Sequence, residues 1–101
     1  MSISGIASTA LSGMLAQTTK IGAIANNVAN ISTSGYARLN TSFTSVEPSG
    51  AQAVVSQIDQ PVYPVTELTD LIEAEQSYKA NAVAFETGAD MWEMLMSIKR
   101  D

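Results

Sequence analysis

The first 46 residues of this chain carry only two charged side chains, Lys20 and Arg38, while the remainder carries thirteen, ten of them acidic. No other feature restricts the fold as strongly. A chain of 101 residues makes one domain and buries about two-thirds of its unfolded surface. The stretch before Arg38 must therefore be covered by lipid, by a core or by other copies of the chain. Lipid fits poorly. Ser, Thr, Gln and Asn interrupt residues 2–34 throughout, and a spanning helix needs about 20 mostly apolar residues. A cleaved leader also fits poorly: Ile6–Ala16 has the length, but Met1–Gly5 holds no Lys or Arg.

Spacing predicts a long helix over residues 3–31. Ala7, Leu11, Met14, Thr18, Ile21, Ala25 and Val28 follow steps of four and three, which keeps a stripe on one side of a helix. Ile3, Ile6, Ala10, Leu15, Ile24 and Ile31 widen the apolar surface. Gly5, Gly13 and Gly22 each cost about 1 kcal/mol of helix propensity, so this helix needs neighbours. A second helix is expected over residues 65–98, capped by Thr66 or Thr69, with Glu67, Asp70 and Glu73 near its positive end and Lys99 and Arg100 near its negative end. Its stripe reads Leu68, Leu71, Glu75, Tyr78, Ala82, Phe85, Ala89, Trp92 and Met96, with Tyr78, Phe85 and Trp92 expected in a core.

Between the helices, Asn30–Gly35 is rich in turn formers, and Gly35 can take positive φ. Tyr36–Val46 and Ala51–Ile58 read as extended pieces separated by Pro48 and Gly50. The expected fold is mainly α: two long terminal helices pairing as a coiled coil or helical hairpin, with an irregular linker that has room for a short β piece. The expected divisions are residues 1–34, 35–65 and 66–101, within one structural domain.

With no Cys and no His, zinc fingers, thiol nucleophiles, Ser–His triads and disulfide scaffolds are excluded. The formal charge of -5 argues against nucleic acid, whose phosphates need clustered cations. Glu73 and Glu75 stand two apart, on different helix sides, and do not form a catalytic pair. No metal-binding or phosphate-binding loop is apparent. The expectation is a non-enzymatic protein with no cofactor, no metal and no small-molecule substrate.

The stretch Ala25-Asn26-Asn27-Val28-Ala29-Asn30-Ile31-Ser32-Thr33-Ser34-Gly35-Tyr36-Ala37-Arg38, preceded by Ala10-Leu11-Ser12-Gly13-Met14, closely resembles the N-terminal signature of the bacterial flagellar axial proteins of rod and hook. At the other end, Leu71-Ile72-Glu73-Ala74-Glu75-Gln76-Ser77-Tyr78-Lys79-Ala80-Asn81, continued by Phe85-Glu86-Thr87 and Met94–Ile98, looks like that family's C-terminal helix. The resemblance implies two paired terminal helices that form the inner tube of rod or hook, in the flagellar basal body and periplasmic space. It also implies export through the flagellar type III apparatus without a cleaved leader. Its implied partners are other copies and other rod and hook proteins.

Most members carry a β-rich domain between the helices, for which about 33 residues leave no room. That difference, and residues 60–69, make the chain most like a short proximal-rod subunit. A small helical-hairpin export adaptor or secreted binding protein is the alternative.

The residues expected to matter for packing are Ser12, Gly13, Ala25, Asn26, Asn27, Val28, Ala29, Asn30, Gly35 and Tyr36 at the first signature. On the second helix they are Leu71, Tyr78, Ala80, Asn81, Phe85, Trp92 and Leu95. Asn26, Asn27 and Asn30 read both as a helix end and as contacts to neighbouring subunits. Asn81, mid-helix, is expected to face another copy. Tyr36 is expected to fold back onto the helices. The acidic residues are expected on a solvated face, and Lys20 on the surface, lining a channel or meeting a neighbour's carboxylate.

Overall fold

The computed structural model describes residues 2–100. Its order is α1 (Ile3–Ala29), β1 (Arg38–Ser45), β2 (Ala51–Ile58) and α2 (Pro64–Arg100). The molecule is an elongated slab with extents of 66 × 24 × 14 Å. The expected helix pair is present, and the linker is more regular than its sequence suggests.

Each boundary has a local cause. Ser2 caps α1 by accepting a 3.0 Å bond from the Gly5 backbone N–H, satisfying one of the donors that a helix start leaves unpaired. At the other end Asn30 gathers the loose carbonyls: its side-chain Nδ2 donates to Asn26 O at 2.8 Å, as its backbone N–H does at 3.1 Å. Gly35 then takes φ +76, a conformation that L side chains rarely adopt. α2 starts at Pro64, earlier than expected. Proline suits the first turn because its missing N–H would be unpaired there anyway. Neither Thr66 nor Thr69 is therefore a cap; Thr69 lies inside the helix and bonds back to Val65 O at 2.9 Å. The side chain of Arg100, expected to complement the helix dipole, lies outside the described part.

The two extended pieces form one antiparallel hairpin in which Arg38 pairs with Ile58 and Ser45 with Ala51. A 3.1 Å bond from Val46 N to Gly50 O closes the turn, which contains a cis Glu47–Pro48 bond. An isolated hairpin is marginal in water. This one lies along α1, fastened at its tip: Ser12 Oγ accepts from Ala51 N at 3.1 Å, and Thr9 and Ser49 hydroxyls meet at 3.0 Å.

The helices run antiparallel. Asn27 meets Glu67, Lys20 meets Glu73, Gly13 abuts Asn81, and Ile6 and Ala7 abut Gly88. The inner seam of α1 is thus Ile6, Gly13, Lys20 and Asn27, with buried Ala10 and Ile24 between them. That of α2 is Glu67, Ala74, Asn81 and Gly88. Each set repeats every seven residues, as paired helices require.

Both seams differ from the expected ones by one residue. The stripe Ala7 to Val28 should have faced α2, and the stripe Leu68 to Met96 should have faced α1. One residue is about 100° of helix rotation, so both stripes turn away from the helix interface. The reason is the contact between backbones. Gly13 and Gly88 permit a close approach, and Asn27 and Glu67 supply bonds that large apolar side chains cannot. The seam expected from hydrophobicity is left outside, with Phe85 39% and Trp92 50% exposed. Tyr78, Phe85 and Trp92 are therefore not core residues of the single chain.

Candidate assembly surface and buried polar clamp

Where α1 ends, β1 begins and α2 starts, five polar side chains converge. Asn27 is the centre and is 0% exposed. Its Nδ2 donates to Leu39 O at 2.9 Å and Glu67 Oε2 at 3.2 Å. Its Oδ1 accepts from Leu39 N and from the Tyr36 hydroxyl, both at 2.8 Å. An asparagine amide has two donor hydrogens and two acceptor lone pairs, and all four are used. Asn27 therefore mimics a strand edge, holding both backbone groups of Leu39.

Glu67, 1% exposed, accepts from Arg38 Nε through Oε1 and from Asn27 through Oε2. Arg38 Nη2 reaches Asp70 Oδ2 at 3.1 Å. A buried carboxylate beside a buried guanidinium is tolerated because each charge is paired and hydrogen-bonded. The clamp thereby joins all three segments of the chain.

This geometry corrects several expectations. Asn27 has no free bond for a neighbouring subunit, and Asn81, half-buried, lies against Gly13 of its own chain with its Nδ2 donating to Ser77 O at 2.9 Å. Glu67 and Asp70 leave the solvated face for the clamp. Lys20 pairs with Glu73 of its own chain at 3.6 Å and lies 5.7 Å from the Phe43 ring centroid. Tyr36 folds back as its turn allows, donating to Asn27 and accepting from Asn26 at 3.1 Å. The pairing of Arg38 with Glu67, 29 positions apart, is not visible from local sequence. The available signal was Arg38 itself, one of two charges in a 46-residue stretch, where a cation needs a distant acid.

The other named residues point outward. Ala25, Val28, Ala29, Leu71, Tyr78, Ala80, Phe85, Trp92 and Leu95 are all exposed. Because the helices are antiparallel, advancing one residue on each turns both displaced stripes to the same side of the pair. Ile21, Ala25 and Val28 of α1 accordingly share apolar grooves with Leu68 and Leu71 of α2. The hairpin covers the opposite side of α1, bonded to Ser12 and Thr9, with Ala16 and Thr19 lining the cavity between hairpin and helix. A broad apolar face on one chain is the mark of a protein-contact surface. Among the described residues no group of three or more acidic residues is placed to hold a metal ion, and no helix is long and apolar enough to cross a membrane.

The comparisons with known proteins fall on the same two segments. A family model described as "Flagella basal body rod protein" matches residues 8–36, and one described as "Flagellar basal body rod FlgEFG protein C-terminal" matches residues 61–98. The flagellar hook protein FlgE of Brucella suis biovar 1 (strain 1330) is 50% identical over 34 residues, which is 34% of this chain and 9% of that protein. The flagellar hook protein FlgE of Rhizobium meliloti (strain 1021) is 45% identical over 51 residues, which is 50% of this chain and 13% of that protein. The chain therefore spans about a tenth of the length of these relatives. With one signature in α1 and its turn, the other in α2, and the two helices paired, the chain belongs to the family of bacterial flagellar rod and hook axial proteins.

Proposed function

We propose that this chain is a structural subunit of the flagellar basal-body rod, polymerising through its paired terminal helices into a helical tube that transmits torque and surrounds an export channel. The observation that carries this reading is the outward apolar stripe shared by both helices. Leu11, Val28, Leu68, Leu71, Phe85 and Trp92 are all exposed in the single chain. Covering them with other axial subunits removes them from water, at about 25 cal/mol per Å² of apolar surface. Each subunit in a tube touches several others, so weak contacts sum to a firm lattice. The small size of the hairpin favours rod over hook, because little of the chain lies outside the tube-forming helices. Partners in this reading are other copies, other rod and hook proteins, and the flagellar export apparatus during delivery.

The test is to isolate basal bodies from cells carrying the gene and from cells lacking it, and to follow the chain by mass spectrometry and swimming by microscopy. The expected result is stable retention in the rod fraction and loss of motility on deletion. A chain that stays with the export apparatus and is absent from isolated basal bodies would make it an adaptor instead.

A further inference from the structure

Methionine is placed unevenly in this chain. Three of its five methionines, Met91, Met94 and Met96, fall in one short run near the end of α2. All three are exposed, Met94 the most at 66%, whereas Met14 is half-buried. Gly88 abuts Ile6 and Ala7, so in the antiparallel pair Met91 draws level with Ile3, where α1 begins, and Met94 and Met96 lie beyond it. At about 100° per residue, Met96 stands about 140° from Met91 and about 160° from Met94 round the helix. No gap between these thioethers reaches half the circumference. Any surface that packs against half of this helix therefore covers at least one of them, whichever side it approaches from.

A thioether is apolar and pliable, which suits a packed contact. In a chain without cysteine it is also the sulfur open to two-electron oxidation. Resting on the proposed assembly, we infer that Met91, Met94 and Met96 form an oxidation-sensitive modification site that keeps an oxidised, unassembled chain out of the polymer. In the step, hydrogen peroxide transfers one oxygen atom to sulfur. The O–O bond breaks, an S–O bond forms, sulfur gives up two electrons, and the peroxide leaves as water. The product sulfoxide is polar. Facing solvent, it stays hydrated. Covered by a neighbour's apolar surface, it loses its water without gaining a donor. The single chain does not bury these side chains, so its own fold is spared. Reductases that act on methionine sulfoxide reverse the change.

The test treats the purified full-length chain with hydrogen peroxide before assembly. Peptide mass spectrometry should find an added oxygen first at Met94, then at Met91 and Met96, all ahead of Met14. Circular dichroism should keep its helical signal. The concentration needed for sedimentable assembly, alone or with purified rod and hook proteins, should rise about tenfold or more, the effect of one unpaired polar group in a contact. Methionine sulfoxide reductases for both sulfoxide epimers should restore it. The triple variant Met91→Leu, Met94→Leu, Met96→Leu conserves volume and apolarity, and should assemble equally with and without peroxide. Should that variant fail to assemble untreated, the reductase arm decides alone. Unchanged assembly of the oxidised chain, no recovery with the reductases, or equal peroxide sensitivity of the leucine variant overturns the inference and leaves the proposed function standing. An untreated chain that never assembles overturns both.

Discussion

The two seams of this helix pair differ in kind. The inner one is built of small and polar residues: Gly13 against Asn81, Gly88 against Ile6, Asn27 against Glu67. The outer one holds most of the large apolar side chains. In an ordinary two-helix domain the large residues would face inward, since burial there supplies most of the stability. Here the single chain is held by close backbone approach and a polar clamp, while its large apolar side chains stay exposed. In the proposed assembly, folding and polymerisation draw on different residues, and substitutions should separate them.

The largest effect on the single chain is expected at the clamp. Glu67→Ala leaves the Arg38 guanidinium buried without its main partner and should cost about 3–5 kcal/mol. Urea unfolding followed by circular dichroism measures it. Adding Arg38→Ala should recover part of the loss, as expected for two residues that act as a pair.

Asn27→Ala is next. It strands both backbone groups of Leu39, and should cost about 2–3 kcal/mol and loosen the start of β1. Hydrogen exchange at the Leu39 amide is the local readout; unchanged protection there would show that Asn27 does not hold the strand.

At the middle of the seam, a Cβ added to Gly13 would collide with the Asn81 side-chain amide. Gly13→Leu should push the helices apart and cost about 1–3 kcal/mol, and Asn81→Ala should relieve part of this.

The outer seam should behave in the opposite way. Trp92 and Phe85 are 50% and 39% exposed, so Trp92→Ala should change the unfolding free energy of the single chain by less than about 1 kcal/mol, yet abolish sedimentable assembly. Were Trp92→Ala to unfold the chain, the division between the two seams would be wrong. The smallest change is expected at Gly22, where a Cβ meets nothing within 4 Å. Gly22→Ala should stabilise α1 by about 1 kcal/mol through helix propensity alone, and leave assembly unchanged.

The helices, the turn at Gly35 and both extended pieces were legible from spacing, glycine and proline, because each is decided within a few neighbouring residues. The family signatures were legible for the same reason, as runs of adjacent residue types. Which stripe of each helix faces its partner was not. Hydrophobic periodicity marks the stripe that leaves water, but not whether its own chain or another copy covers it. The small-residue seam, with Gly13 and Asn81 on opposite helices, acquires meaning only once the two are paired. The clamp was hidden too. Asn27, Arg38 and Glu67 are separated by up to 40 positions, and nothing near Glu67 distinguishes it from the exposed acids around it. Sequence alone determined the elements and their ends through local backbone preference; the tertiary structure decided the rotation of each helix and the burial of its charges, because those depend on what faces each residue across the fold.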